Sequence, residues 1–172
     1  MDIWVSDNNM KKKKEIKKIV LAANETYEGE VDDDGNPHGK GKWKFSDGTI
    51  LVGEFLYEND HGFGTFTFPD GATYEGDIIT KPSKDPISRG NFVRHGKGKF
   101  IWPNGQIYIG NWLDGKMHGH GSITYPKGDK YEGNFKNEKR HGYGIYIYKD
   151  GSKDKGMWNE GEFVEVDESK KN

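Results

Sequence analysis

Cysteine is absent from all 172 residues. Disulfides, thiolate zinc sites, S-palmitoylation and cysteine nucleophiles are therefore excluded. Long hydrophobic runs are missing too: the longest, Ile19 to Ala23, is shorter than a signal-peptide core or a membrane span. Hydrophobic residues make up only 31% of the chain and mean hydropathy is −0.99, too little for a thick core. Charge of one sign does not dominate either, and a net charge of −2 offers no global field toward nucleic acid. An intracellular, soluble protein without a nucleic-acid partner is expected.

Aromatic residues and glycine are plentiful. Phe, Trp and Tyr reach 13%, which separates the chain from disordered sequences of similar hydropathy. The 25 glycines are roughly twice the usual share of about 7%. Large flat rings, bare backbone and few aliphatics predict a thin β-structure.

Residues 1–23 differ from the rest. Lys11, Lys12, Lys13 and Lys14 precede Ile16, Ile19, Val20 and Ala23, which fall on one helical face. The segment is expected to be a basic tail or a short amphipathic helix, and its lysines are candidate contacts for anionic lipid. A repeat array follows over 24–160, with an insertion near 79–90, and a charged tail closes the chain at 161–172.

The array is read from spacing. His-Gly-x-Gly occurs five times, beginning at His38, His61, His95, His118 and His141. A glycine follows each histidine by fifteen residues: Gly53, Gly76, Gly110, Gly133 and Gly156. Successive histidines lie 23 apart except for 34 between His61 and His95, so eleven extra residues sit mid-array. Self-similarity at such a period marks a repeat architecture.

Each unit reads as two short strands, because side chains alternate with period two. Tyr131, Gly133 and Phe135 share one face, as do Gly144, Tyr146 and Tyr148. The same alternation collects Tyr27, Trp43 and Phe45, then Phe66 and Phe68, then Phe100 and Trp102. Of these rings Phe66, Phe68, Phe100, Trp102, Tyr131, Phe135, Tyr146 and Tyr148, with Tyr108, Trp112 and Tyr125, form a candidate protein-contact face. A ring from one strand is expected to cover the glycine of its neighbour. The opposite face alternates Glu28 and Glu30 with Lys40, Lys42 and Lys44, and turns apolar at Tyr143, Ile145 and Ile147, a second candidate contact.

Asp47-Gly48, Asp70-Gly71, Asn104-Gly105 and Asp150-Gly151 are favoured turn dipeptides. They predict an all-β protein: one elongated antiparallel sheet of about five stacked hairpins with a capping half-repeat, because Asp154 stands where other copies carry tyrosine. In the insertion, strand pairing passes either to Arg89-Gly90-Asn91-Phe92 or over a long loop. Its surroundings are basic, and Lys81, Lys84, Arg89, Arg94, Lys97 and Lys99 are further candidate lipid contacts.

No catalytic, cofactor or metal site is expected. Equivalent histidines one hairpin apart sit roughly 10 Å from each other, too far to share an ion held at about 2 Å. The carboxylates of Tyr-Glu-Gly recur by repetition, whereas a catalytic pair needs a unique enclosed setting. No nucleophile elbow, phosphate loop or metalloprotease motif is present. A small-molecule substrate is not expected.

Tyr74-Glu75-Gly76, Tyr131-Glu132-Gly133, the five His-Gly-x-Gly elements and the turn glycines resemble MORN repeats over roughly 27–160. The resemblance implies a twisted antiparallel sheet of stacked hairpins, used by junctophilins, plant phosphatidylinositol phosphate kinases, cytoskeletal scaffolds and radial spoke heads. The opening unit, Tyr27 to Gly41, has an internal glycine before His38 and is similar to the first repeat of radial spoke head proteins. Two expectations follow. One is a non-enzymatic scaffold binding a cytoskeletal or axonemal protein, or a second copy of itself, in a cilium or at the cell cortex. The other is a membrane-surface adaptor on anionic lipids or phosphoinositides.

Overall fold

Alternation of rings and glycine with polar residues produces strands throughout. The structure, a computed structural model, describes residues 15–22, 24–56, 61–81 and 92–164. Within them lie β1 (Ile16–Ala22), β2 (Glu25–Val31), β3 (Pro37–Lys44), β4 (Ile50–Leu56), β5 (His61–Thr67), β6 (Thr73–Thr80) and β7 (Phe92–Ile101). The remainder are β8 (Ile107–Leu113), β9 (Lys116–Thr124), β10 (Lys130–Lys136), β11 (Lys139–Ile147), β12 (Lys153–Asn159) and β13 (Glu162–Val164). All thirteen join one antiparallel sheet in the order of the chain. At about 4.8 Å per strand the sheet runs roughly 58 Å.

A row of glycine crosses that sheet. Gly29, Gly41, Gly53, Gly64, Gly76 and Gly98 pair in succession from β2 to β7. Gly110, Gly121, Gly133, Gly144 and Gly156 carry the row on to β12. Along this row the strands from β2 to β12 meet through backbone alone, which leaves room for rings to lie flat on one face.

The paired glycines of the His-Gly-x-Gly element have separate duties. The second sits in this spine. The first adopts the left-handed region at Gly39, Gly96, Gly119 and Gly142, beside register shifts in the β2–β3, β6–β7, β8–β9 and β10–β11 pairs. These are β-bulges. In β5 the copy Gly62 pairs with Phe55 without a shift.

The two long edges of the sheet carry different turns. One edge has three-residue loops: Gly48 donates to the Phe45 carbonyl and Phe45 to the Thr49 carbonyl, and the pattern recurs at Phe68, Trp102, Tyr125 and Tyr148. The other edge opens with a loop of the same kind at Asp32 and then has two-residue turns with positive φ at both positions, Asp114-Gly115, Asn137-Glu138 and Glu160-Gly161, the twist that suits a hairpin.

Two expectations change and one open alternative is decided. Residues 16–22 form strand β1 and not a helix: paired with β2, Ile19 faces Tyr27 and packs with Leu21 against the core, so burial on a ready sheet overrides a marginal helix. The repeat sheet also extends past 160, since β13 pairs Phe163 with Trp158. Finally, β6 pairs directly with β7, Tyr74 opposite Phe100 and Gly76 opposite Gly98. Register thus bypasses the Arg89-Gly90-Asn91 alternative, which lies outside the described residues.

Candidate protein-contact surfaces

The core is one face of the sheet, built by its own rings. Tyr27, Tyr74, Tyr108 and Tyr131 are fully buried. They lie across Gly41, Gly98, Gly121 and Gly144 of the next strand. Their hydroxyls donate to the carbonyls of Glu30, Asp77, Asn111 and Asn134, at 2.6 to 3.1 Å. Burial raises the pKa of Tyr74 and Tyr108 and pushes Tyr131 up to about 12.

Upright rings lock the flat ones. Trp112 stands edge-on to both Tyr74 and Tyr108, at 5.3 and 5.2 Å. Phe135 does the same between Tyr108 and Tyr131, and Trp158 continues from Tyr131. The zipper thins where Leu51 replaces tyrosine over Gly64 and Ile78 replaces the upright ring. There Phe92, delivered by the end of the insertion, contacts Trp43, Phe45 and Phe55 at 5.4, 6.3 and 5.2 Å.

This packing divides the expected contact face. Phe66, Phe100, Tyr108, Trp112, Tyr131 and Phe135 are buried and have no surface to offer, which corrects the picture of one exposed ring lattice. Half-buried Phe45, Phe68, Trp102 and Tyr125, with exposed Tyr148, remain along one rim. Each stands at the head of a three-residue loop, backed by an inner ring in most repeats. Phe66 stacks on Phe68 at 9° and 5.9 Å, Phe100 meets Trp102 at 4.6 Å, and Tyr146 meets Tyr148 at 4.8 Å.

On the second face the spine is the floor of an open groove. One hollow of 680 Å³ is walled by Glu75, Lys99, Ile109 and Glu132 on one side and by Phe63, Lys97, Asn111 and His120 on the other. A second, of 750 Å³, lies over Gly29, Gly41, Gly53 and Gly64. The expected opposed charges are in register, Glu28 facing Lys42 and Glu75 facing Lys99. Toward the C-terminus Tyr143 is exposed and faces Met157, which in turn faces Val164, while Ile145 and Ile147 are half-buried. Exposed Phe63 and Ile109 were not singled out in sequence.

The basic candidates are dispersed. Lys81 is tied to Asp114 at 2.8 Å, and that hydrogen bond holds the Asp114 carboxyl below the usual range. Arg94 turns inward: Nη2 donates to the Gly115 carbonyl at 2.7 Å and the guanidinium covers Trp112 at 4.5 Å. Burial lowers its pKa. Lys97 and Lys99 flank the spine on the second face. Lys11, Lys12, Lys13, Lys14, Lys84 and Arg89 lie outside the described residues.

Arg140 repeats the Arg94 clamp two units later, with the Gly161 carbonyl at 2.7 Å and the Trp158 ring at 4.2 Å. The signal was present as arginine directly before histidine, Arg94-His95 and Arg140-His141. His95 Nδ1 accepts from the Asp114 N–H at 3.5 Å. His118 Nδ1 and His141 Nδ1 are buried without a hydrogen-bond partner. Among the described residues no three His, Asp or Glu side chains gather as a metal set.

The MORN repeat profile matches residues 27–50, 53–73, 93–107, 108–130 and 131–153, more than half of the chain. No curated protein matches it. Among solved structures, the TCP domain of SAS-4 (dCPAP) of Drosophila Melanogaster, in complex with a proline-rich motif of Ana2 (dSTIL), is similar over 83% of this chain and 90% of its own. Identity is 14% and the TM-score 0.34, a likeness that says nothing of function. The matched repeat is a non-enzymatic module that serves protein interaction or membrane binding. With its five matched segments laid on the hairpins of one sheet, the chain belongs to the MORN repeat family.

Proposed function

We propose that the protein is a non-enzymatic scaffold that binds another protein along its length, in a ciliary or cortical cytoskeletal assembly. The observation that carries this is the two-sided openness of the sheet. A rim of half-buried rings runs along one face and a shallow groove over the glycine spine runs along the other. Extended, unenclosed surfaces suit an elongated partner and not a small substrate. The setting rests on the opening unit, Tyr27 to Gly41, with its likeness to radial spoke heads.

The experiment is in-cell cross-linking of a tagged full-length chain, combined with its fluorescence localisation. Cross-links from the sheet to axonemal or cortical proteins are expected. A diffuse stain, strict monomers at high concentration and no cytoskeletal neighbour overturn the proposal. The lipid-adaptor alternative is not favoured by the described residues, since Lys81 and Arg94 are engaged within the protein. Vesicle flotation separates it: salt-sensitive flotation that is lost on replacing Lys11 to Lys14 with alanine supports the adaptor.

A further inference from the structure

We propose that the rim rings Phe45, Phe68, Trp102, Tyr125 and Tyr148 form a track for a basic, proline-rich segment of another protein, bound in the polyproline II conformation. This names the partner chemistry of one surface of the scaffold and rests on that reading.

Pitch is the first argument. The rings occupy the same place in each repeat, four residues after spine glycines Gly41, Gly64, Gly98, Gly121 and Gly144. They fall at the ends of alternate strands β3, β5, β7, β9 and β11, and direct pairing of β6 with β7 keeps the rhythm across the insertion. Two strand spacings are about 9.6 Å. Polyproline II turns once in three residues of 3.1 Å, or about 9.3 Å. Every third residue of such a segment therefore meets the next ring. A bound β-strand, repeating every ~6.8 Å, or an α-helix of about 5.4 Å pitch, falls out of step.

Rigidity and shape are the second. Inner rings back the rim at Phe68, Trp102 and Tyr148, so little freedom is lost on binding. Hollows adjoin it, one of 230 Å³ lined by Phe68, Phe92, Val93 and Arg94 and one of 440 Å³ lined by Tyr146, Tyr148 and Phe163 with Arg140, Asp154 and Glu162; the guanidiniums of Arg94 and Arg140 lie against Trp112 and Trp158 and are bonded to the Gly115 and Gly161 carbonyls. Aromatic-lined hollows of this kind receive proline rings.

Charge is the third. The loops just beyond the rings carry Asp47, Asp70, Asp129 and Asp150 against Lys127 and Lys149. Side-chain hydrogen bonds hold the Asp150 carboxyl below the usual range. An acidic margin beside apolar rungs selects arginine or lysine between the prolines.

Fluorescence anisotropy tests the proposal on the full chain with a labelled (Pro-Pro-Arg)6 peptide at physiological salt. Binding about tenfold tighter than that of (Gly-Ser-Arg)6 or (Pro-Pro-Glu)6 is expected, because only the first is both preorganised and basic. Tyr125→Ala and Tyr148→Ala should each weaken it about fivefold, with melting curves confirming the fold. Ile109→Ala on the second face should leave it unchanged. Equal binding of (Gly-Ser-Arg)6, loss on Ile109→Ala alone, or no binding overturns the inference. So does a dimer that Tyr148→Ala separates and the peptide does not, which would make the rim a self-interface. If the peptide fails while cross-linked protein neighbours persist, the track falls and the scaffold stands.

Discussion

The Tyr108 ring lies flat across Gly121 of the adjoining strand, so that a Cβ added there would stand 2.6 Å from the ring and from its hydroxyl. The hydroxyl itself is fixed by donation to the Asn111 carbonyl at 2.8 Å. Ring and glycine are one unit of construction, repeated along the spine.

Gly121→Ala should therefore cost about 3 kcal/mol, through forced displacement of a buried ring. Gly105, at a loop tip with open space around it, provides the contrast: Gly105→Ala meets only the left-handed backbone penalty of about 1 kcal/mol. Urea unfolding of the two variants measures the difference, and equal losses would refute the role of the seat.

The turn between β10 and β11 places Glu138 at φ 71, where the equivalent hairpins have Gly115 and Gly161. Relief of left-handed strain should outweigh the added freedom of the unfolded chain. Glu138→Gly is expected to stabilise the protein by about 0.5 kcal/mol. A lowered melting temperature would contradict it.

Phe92 packs on Trp43, Phe45 and Phe55. Phe92→Ala should cost about 2–3 kcal/mol, somewhat less than a fully buried ring. The loss should also be local, since the rings that Phe92 touches belong to β3 and β4 and lie far along the sheet from β10 and β11. Amide exchange is expected to quicken in β3 and β4 and to stay unchanged in β10 and β11.

Alkaline pH should unfold the sheet. Burial raises the pKa of Tyr74, Tyr108 and Tyr131 above the unfolded value of about 10. The neutral hydroxyl is thus favoured by folding. Its stabilisation is complete below pH ~10 and is lost as pH rises through the folded values. Melting temperatures from pH 8 to 12 should be level at first and then fall. Tyr131→Phe should flatten that fall, while costing about 1 kcal/mol at neutral pH for its lost hydrogen bond. An unchanged slope would exclude Tyr131 as a contributor.

The repeat was legible because its demands are steric and local. A ring needs a glycine beneath it and a tight loop needs Asp-Gly, so the spacing from His118 to Gly121 and Gly133 declared the sheet in advance. Strand β1 was not legible: Ile16, Ile19 and Val20 recur at helical spacing, whereas the strand turns Ile19 and Leu21 to the core and leaves Ile16 and Val20 exposed, and only the waiting edge of β2 decides between the two. The depth of the core was hidden as well. Alternation places Tyr108 and Tyr148 on one face, yet the upright Trp112 and Phe135 cover the first and leave the second exposed. Arg94 looked like a surface cation, and it became a clamp once Trp112 and the Gly115 carbonyl were brought beneath it.

Because the strands are laid down in chain order, position along the sequence is position along the rod. The eleven extra residues in the sequence before β7 leave the rungs in step, since β6 pairs directly with β7. The molecule is a ruler whose graduations are fixed by backbone pairing. Gain or loss of a 23-residue unit would change its length by about 10 Å and would leave the interval between marks untouched.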